Sequence, residues 1–417
     1  MIGLAITAET WREITSPGGL AMAIGRVAGL SGAYLMLLML LLMARIPALE
    51  RAAGQDRLAR WHRRIGGWPI LLIVVHGAAI TLGYAQAAKV GVLSQAATLL
   101  KHYPDVLAAT VGGGLLIFAG IASFRAARRK MAYETWWAIH LYIYLALALS
   151  FAHQIVWGAS FISHPLTRIV WSVAWGATAG AVLTFRIGLP LWRSIHHRLR
   201  VVSVRSEAPG VISIVCAGRH LERLPVSGGQ FFQWRFLAKG LWWQAHPYSL
   251  SALPAPPYLR LTVRSTGDHG AALASLPAGT PVAIEGPYGA FTSERSAGDR
   301  VLLVGAGVGV TPLRAILESL PSRVDVSVIL RASSKQDLVF HDELTKLVEG
   351  RSGAIHEVLG TRDAVRVDVS MLRRLVPDVA TRDVYICGPE GFADHLESAA
   401  LKVGVPPERI HREAFAF

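Results

Sequence analysis

The chain has 417 residues, of which 52% are hydrophobic and only 17% charged, with a net charge of +14; a soluble domain of ordinary composition is nearer a quarter charged. Its two cysteines, Cys216 and Cys387, are too few for a four-thiolate iron–sulfur cluster or a disulfide framework. The arginines gather beside apolar runs, not in a basic stripe with interleaved aromatics, so the charge points to a lipid bilayer and away from nucleic acid.

Residues 1–19 lack a basic stretch ahead of an apolar core and are interrupted by Glu9, Arg12 and Glu13, which predicts an interfacial segment and no cleaved leader. Five apolar runs follow, roughly 21–44, 65–87, 106–124, 135–157 and 168–190, each near the ~20 residues that cross a bilayer as a helix. The first link between them carries Arg45, Arg51, Arg57, Arg60, Arg63 and Arg64. The third carries Arg125, Arg128, Arg129 and Lys130, and the segment after the fifth run carries Arg193, Arg198 and Arg200. The second link has only Lys89 and Lys101, and the fourth, 158–167, has neither Lys nor Arg. Positive charge marks the cytoplasmic side, so the N-terminus is expected outside and everything after the fifth run inside.

Four histidines bracket two of these runs. His62 and His76 flank the second and His140 and His153 the fourth, 14 and 13 residues apart, or about 20 Å along a helix at ~1.5 Å per residue. Both runs point outward, so His62 and His140 share an inner level and His76 and His153 an outer one. An ionisable residue inside a span is costly and functional by default, and neutral imidazole is a haem-iron ligand. Two levels of two imidazoles suit two six-coordinate haems stacked across the bilayer. Any one of the four alone reads better as an interhelical hydrogen-bonding histidine; the matched levels favour ligation. A step of 14 returns to within ~40° of one helix face, but 13 misses by about 140°. The fourth helix is therefore expected either to be distorted or to meet its haems from different sides. His102 and His164, in the outer links, read as solvated loop residues.

From about residue 199 the pattern turns to short alternating strands. Leu199–Val204 and Val211–Cys216 flank the turn Glu207-Ala208-Pro209-Gly210, and Tyr258–Val263 and Val282–Ile284 follow, as in a small antiparallel barrel. From about 300 strand alternates with helix: Val301–Val304 then Thr311–Leu320, Asp325–Leu330 then Asp342–Val348, Val384–Ile386 then Phe392–Val403. That is the pattern of a parallel α/β sheet. The turn from Gly305 through Gly307 and Gly309 to Thr311 follows a strand and opens a helix. Glycines there let backbone approach a pyrophosphate, and the helix N-terminus favours its charge. Val310 stands where the Rossmann fingerprint has its third glycine.

Three further segments, His246-Pro247-Tyr248-Ser249, the run from Val263 through Arg264 to Gly270, and Glu285-Gly286-Pro287-Tyr288-Gly289, join the four histidines, the glycine turn and Cys387-Gly388-Pro389 in one resemblance. The chain resembles the ferric reductase and NADPH oxidase superfamily, bacterial type: a haem-binding membrane domain fused to a ferredoxin–NADP reductase-like module. The resemblance covers nearly everything after residue 20. It implies an α-helical transmembrane bundle (1–195), an antiparallel FAD-binding β-barrel (196–295) and a parallel α/β NAD(P)H-binding domain (296–417). The implied cofactors are FAD, two b-type haems and NADPH, with NADH as an alternative.

By the same resemblance Tyr248 flanks the isoalloxazine, Ser249 lies near its reactive nitrogen, and His246, beside Pro247, lies near the FAD phosphates. Arg264, with Gly270 and Ala271, meets the pyrophosphate, although many relatives have a hydroxyl residue where Gly270 stands. Gly305, Gly307, Gly309 and Thr311 cradle the nucleotide, and Cys387, with Gly388 and Pro389, lies near the nicotinamide. Arg331 meets the 2′-phosphate of NADPH, and Phe417 covers the flavin where nicotinamide must stack. Read without the resemblance, Cys387 is a small buried core residue, Arg331 a solvated strand end and Phe417 an apolar tail.

The expected function is electron transfer from cytoplasmic NAD(P)H, through FAD and the haems, to an acceptor on the outer face. Dioxygen (giving superoxide), a ferric chelate, a quinone and a periplasmic protein are the candidates. The fourth link, 158–167, is shorter than the corresponding loop of many family oxidases and forms little of a lid, which speaks against a dedicated superoxide producer. The expected location is the bacterial inner membrane, with both nucleotide-binding domains in the cytoplasm. The rival readings are a haem-free anchor for a flavin reductase and a transporter with a regulatory nucleotide domain.

Overall fold

The computed structural model describes residues 13–415, apart from 104, 129, 132, 163, 266 and 362–364. Five helices among them are long and apolar enough to cross a membrane: Gly19–Met43 (α1), Arg57–Ala88, Val106–Ser123, Thr135–Trp157 and Pro165–His197. These match the five apolar runs. A short helix, α2 (Pro47–Ala53), lies in the first link. The second span comes in two pieces, α3 (Gln55–Ile65) and α4 (Gly67–Ala88), around Gly66. The link that follows holds an unforeseen helix, α5 (Val92–His102), ahead of α6 (Val106–Ser123) and α7 (Tyr133–Trp157). The last span opens as α8 (Pro165–Val182), passes through a π-helical turn at Leu183–Gly188 and continues as α9 (Leu189–His197). Pro190 explains the turn: it lacks an N–H, and its ring would clash with the carbonyl four residues back in a regular helix.

Small residues let the spans approach closely, as apolar helices in lipid require. A side chain added at Gly25 would fall 2.7 Å from Ile80, and one at Gly83 would fall 2.5 Å from Met22. Glycine is therefore needed on both sides of the α1–α4 contact. Gly112 plays the same part between α6 and α7, where a Cβ would come within 2.6 Å of the Ala146 carbonyl oxygen.

The chain divides into two compact units, Met1–Leu49 with Asp56–Arg186, and Glu50–Gln55 with Ile187–Phe417. α9 thus belongs to the second unit, although it completes the fifth span. It packs along a strand there, with the Arg193 guanidinium donating to the Gly286 carbonyl and the Ile284 amide donating to Ser194 Oγ at 3.2 Å.

The first half of the second unit has six strands: β1 (Arg200–Ala208), β2 (Val211–Ala217), β3 (Phe231–Phe236), β4 (His246–Ser249), β5 (Tyr258–Arg264) and β6 (Val282–Tyr288). They form two antiparallel sheets, β1-β2-β5 and β4-β3-β6. Single bridges, Arg200 to Pro281 and Leu250 to Leu261, join the sheets. The strands surround one core, with Ile214, Phe232, Trp234 and Leu261 fully buried. Together they make the small antiparallel barrel expected from the sequence in a loose form, as two sheets around one core that do not close into a single continuous sheet. A helix, α10 (Gly267–Ala274), follows β5.

The second half is a parallel sheet in the order β11-β10-β7-β8-β9. Its strands are β7 (Arg300–Ala306), β8 (Asp325–Ala332), β9 (Gly353–Leu359), β10 (Asp383–Pro389) and β11 (Ile410–Phe415). The helices α11 (Val310–Ser319), α12 (His341–Glu349), α13 (Val369–Leu375) and α14 (Glu390–Val403) complete it. The central strands are buried on both faces and read as near-continuous apolar runs, as a covered parallel sheet demands.

Candidate functional site

The four histidines of the spans meet in two pairs. The ring centres of His62 and His140 are 6.2 Å apart, and those of His76 and His153 are also 6.2 Å apart. An imidazole nitrogen bonds a metal at about 2.0 Å and the ring centre lies roughly 1 Å farther, so two rings on opposite sides of one metal stand about 6 Å apart. Both pairs have that separation. Among the described residues no group of three or more His, Cys, Asp or Glu side chains could hold a metal ion. Two imidazoles leave a bare ion's shell incomplete, but they match the two axial positions of a metal whose other donors come from a macrocycle. The donor set fits haem.

α7 is an unbroken α-helix from Tyr133 to Trp157. The 13-residue step therefore leaves His140 and His153 about 140° apart around its axis, and the two partner rings approach from different sides. His62 is free to do so because it sits on α3, beyond the break at Gly66.

The rings are held unequally. His76 Nδ1 is 2.8 Å from the Gly25 carbonyl oxygen, which assigns the proton to Nδ1 and leaves Nε2 to ligate. A side chain at Gly29 would come within 2.6 Å of that same Nδ1. His140 stacks on Trp136, with ring centres 5.1 Å apart, and its Nδ1 lies 3.4 Å from Ser123 Oγ. Ser123 in turn accepts from Trp136 Nε1 at 3.1 Å. Sequence reasoning missed Gly25, Gly29, Ser123 and Trp136, because their roles come from contacts between helices. It also passed over Arg26, which lies within α1 beside Gly25 and pairs with Glu13.

In the second unit Ser249, Phe231 and Tyr288 stand in one row across β4, β3 and β6. α9 runs antiparallel to β6, with Arg193 at Gly286 and the Leu199 carbonyl accepting from the Val282 amide at 2.9 Å. The start of α9 thus lies toward the row that carries Ser249. The Ser249 hydroxyl is buried and has no hydrogen-bond partner, an orphan that a flavin ring nitrogen would satisfy. Tyr248 keeps its proton, since burial pushes its phenol up to about 12. Next to it the His246 and His269 rings lie 3.8 Å apart. His269 has both ring nitrogens buried without partners, and its pKa falls to about 4 through burial and then through His246. Arg264 is exposed and Ala271 likewise. Gly270 is buried, and a Cβ there would fall 2.5 Å from the Ser265 carbonyl carbon. A hydroxyl side chain has no room at that position, so only backbone can serve a ligand there. Pro247 is an exposed residue of β4.

The parallel sheet reverses its strand order between β7 and β10, and ligands bind outside the carboxyl ends of strands at such a switch point. The two glycine-bearing ends meet there: a Cβ on Gly309 would lie 2.4 Å from the Cys387 carbonyl oxygen. Gly307 has φ +56, a left-handed conformation that favours glycine. Gly305 is closed in by Val310 and Leu313. Thr311 is buried and donates to the Val308 carbonyl at 2.8 Å, so it shapes the turn. Cys387 is fully buried in the sheet core and its thiol pKa is pushed well above the ordinary value by burial. Gly388 and Pro389 follow it at the rim.

Arg331 departs from expectation. Its guanidinium donates to the carbonyls of Ala332, of Gly360 at 2.8 Å, of Thr361 at 2.7 Å and of Val365 at 3.1 Å. It ties the end of β8 to the loop after β9, and its donors face backbone where a 2′-phosphate reader needs them free. Phe417 and Thr266 lie outside the described residues.

Residues 28–151 match the ferric reductase like transmembrane component, and residues 303–398 match the oxidoreductase NAD-binding domain. The chain joins a ferric reductase-like transmembrane domain to a ferredoxin reductase-like FAD/NAD-binding module. It is 28% identical over 238 residues to an NADPH oxidoreductase of Mycobacterium tuberculosis, covering 54% of this chain and 62% of that protein. It is 30% identical over 234 residues to the NADH oxidoreductase HCR of Escherichia coli, covering 52% and 67%. A flavohemoprotein of Deinococcus radiodurans is 28% identical over 200 residues, covering 42% and 47%. The chain thus spans about half to two thirds of the length of these curated relatives. Among solved structures, the FAD/NAD binding domain of nitric oxide dioxygenase from Vibrio cholerae aligns with a TM-score of 0.45 at 23% identity, covering 53% of this chain and 99% of that one.

Proposed function

We propose that this protein carries electrons from NAD(P)H on the cytoplasmic side of a bacterial inner membrane, by way of FAD and two b-type haems, to an acceptor on the outer face. The reading rests on one observation above others: two histidine pairs at the same 6.2 Å, drawn from the same two spans. His62 and His140 would hold the inner haem, and His76 and His153 the outer. When bound, FAD supplies the conversion of a hydride's two electrons into single ones, and each haem supplies a one-electron carrier. The chain's own residues do the rest. Tyr248 and Ser249 bind the flavin ring at the end of the β4-β3-β6 sheet where α9 arrives. His246, with Pro247 before Tyr248, Arg264 and the backbone at Gly270 and Ala271 hold its phosphates. The turn Gly305–Gly309 with Thr311 receives the nucleotide pyrophosphate, while Cys387, Gly388 and Pro389 wall the nicotinamide and Phe417 covers the flavin. The transmembrane step asks no side chain for acid or base work.

The cytoplasmic placement is supported by the arginine-rich first link, whose segment Glu50–Gln55 groups with the reductase module. Ferric chelates and dioxygen are the acceptors proposed first, with a quinone or a periplasmic protein behind them.

The test is quantitative haem analysis of purified protein, followed by anaerobic reduction with NADPH or NADH and addition of single acceptors. Two haems per chain are expected, and His62→Ala or His140→Ala should remove one while His76→Ala or His153→Ala removes the other. A well-folded protein with no Soret band would leave a haem-free anchored reductase.

A further inference from the structure

The reductase module has a charged network that the motifs do not use. Arg260 on β5 grips the Glu343 carboxylate of α12 with both terminal nitrogens, at 2.7 and 2.8 Å. Two more of its donors go to Ser251, Nε to Oγ at 3.1 Å and the second terminal nitrogen to the carbonyl at 3.1 Å. Arg314 on α11 donates from Nε to the same Glu343 at 2.8 Å and from its terminal nitrogen to Glu318. Glu318 accepts the Leu253 amide at 2.7 Å. Arg260 also lies over the Phe340 ring, 4.6 Å from its centre. Two residues that belong to the six-stranded half, Arg260 and Leu253, are thus tied to three on the helices of the parallel-sheet half. Both arginine side chains are largely buried, at 19% and 11% exposure, where paired charges are screened least. The Arg260 hydrogen bonds, with Arg314, hold the Glu343 carboxyl below its usual range.

The attachment points matter. Ser251 and Leu253 follow Ser249 directly along the chain. α11 begins at the glycine turn and ends at Glu318 and Ser319. One rigid helix, about 15 Å long at ~1.5 Å per residue, therefore has its first turn at the proposed pyrophosphate site and its last turn fastened behind the flavin motif.

We propose that Glu343, gripped by Arg260 and Arg314, is the positioning element that fixes the nucleotide-binding half on the flavin-binding half for hydride transfer. This rests on the reductase reading above. In that reaction a C–H bond of the dihydronicotinamide breaks and its hydride, two electrons with one proton, reduces the flavin, which takes a second proton from water. A misplacement of about 1 Å in such a step can lower its rate ~100-fold. The Glu343 carboxylate bonds Arg260 and Arg314 and is none of the groups placed at either reactant, so it acts through orientation.

The experiment uses full-length protein in nanodiscs, with Glu343→Gln and Arg260→Ala compared with Asp378→Asn, which disturbs an ion pair internal to the parallel-sheet half. Anaerobic stopped-flow reduction by NADH and by NADH deuterated at the transferred position is followed alongside FAD content, melting temperature and reoxidation by ferricyanide after dithionite reduction. Glu343→Gln and Arg260→Ala should lower the limiting reduction rate about tenfold or more and raise the isotope effect. FAD content, nucleotide half-saturation and ferricyanide reoxidation should stay within about twofold of wild type, a split that follows from lost orientation with binding intact. Asp378→Asn should shift only the melting temperature. The proposal is overturned if the FAD-bound fraction of Glu343→Gln is reduced at the wild-type rate, or if rate and FAD content fall together. Absence of nucleotide-driven flavin reduction in the wild type itself would instead sink the reductase reading.

Discussion

On the proposed two-haem reading, replacing Gly29 by alanine should empty one histidine pair and spare the other. The added Cβ would lie 2.6 Å from His76 Nδ1, 2.9 Å from Cε1 and 3.1 Å from Cγ. Ordinary contacts are about 3.5 Å or longer, so the ring must retreat by nearly 1 Å. It has little room, being fixed by the Gly25 carbonyl at 2.8 Å on one side and facing His153 on the other. Overpacking of this kind costs about 1–3 kcal/mol, and the strained hydrogen bond adds about 1 kcal/mol. Since ~1.4 kcal/mol is a factor of ten, retention of a haem by His76 and His153 should weaken by between ~30-fold and ~700-fold. Purified Gly29→Ala should carry one haem per chain, with the low-spin paramagnetic resonance signal of the other pair unchanged. Gly32→Ala is the control: its Cβ meets the Ile73 side chain at 3.1 Å and Leu72 Cβ at 3.2 Å, tight contacts on the same helix but away from either ring. A Gly29→Ala protein with two haems and the wild-type spectrum would refute the reasoning.

Arg331→Ala should leave the carbonyls of Gly360 and Val365 without their donor, while Thr361 keeps the Val365 amide, costing about 1–3 kcal/mol of stability; kcat/KM should fall alike for NADPH and NADH, and a selective loss for NADPH would restore Arg331 as a phosphate reader. Ser249→Ala should keep FAD bound and fold as stably as wild type, yet slow flavin reduction by up to about tenfold, as befits losing one hydrogen bond of ~1 kcal/mol; an unchanged rate would detach the hydroxyl from the flavin. His269, held from 6.5 down to about 4, binds fewer protons folded than unfolded, so its share of stability is complete above pH 6.5 and is lost as pH falls toward 4. In FAD-free protein His269→Phe should flatten the melting temperature over that window, and an unchanged pH slope would exclude His269 as its source.

How much of the fold was legible depended on burial. All five spans were readable because a helix in lipid must be apolar all round for ~20 residues. β7, β8 and β10 were readable because strands covered on both faces are apolar runs. The strands that escaped notice are mostly edges. β4 contains Pro247, which normally argues against a strand, and it pairs only with β3 in its sheet. β9 and β11 close the two edges of the parallel sheet, and His356, Glu357, His411, Arg412 and Glu413 break any apolar signal. β3 does alternate, with Phe232, Trp234 and Phe236 buried, but Phe231 on the other face blurs the period.

The site divides along the same physical line. The histidine levels could be read because rise per residue converts a sequence interval directly into depth, and depth is what pairs them. Their angular mismatch on α7 could not be resolved in sequence, since it turns on the direction from which α3 and α4 arrive. Gly270 looked like a lost hydrogen bond, and the backbone at Ser265 makes it instead a position that admits no side chain. Arg331 shows the general difficulty most clearly. A strand-end arginine has the same sequence signature whether it faces a phosphate or a neighbouring loop. Apart from the adjacent Ala332, the carbonyls that claim it come from 27 to 34 residues away, and Arg260 and Glu343 are 83 residues apart. Periodicity carries no information across such intervals. A nucleotide preference inferred from Arg331 therefore has to be weighed against where its donors point, which is to the backbone of that loop.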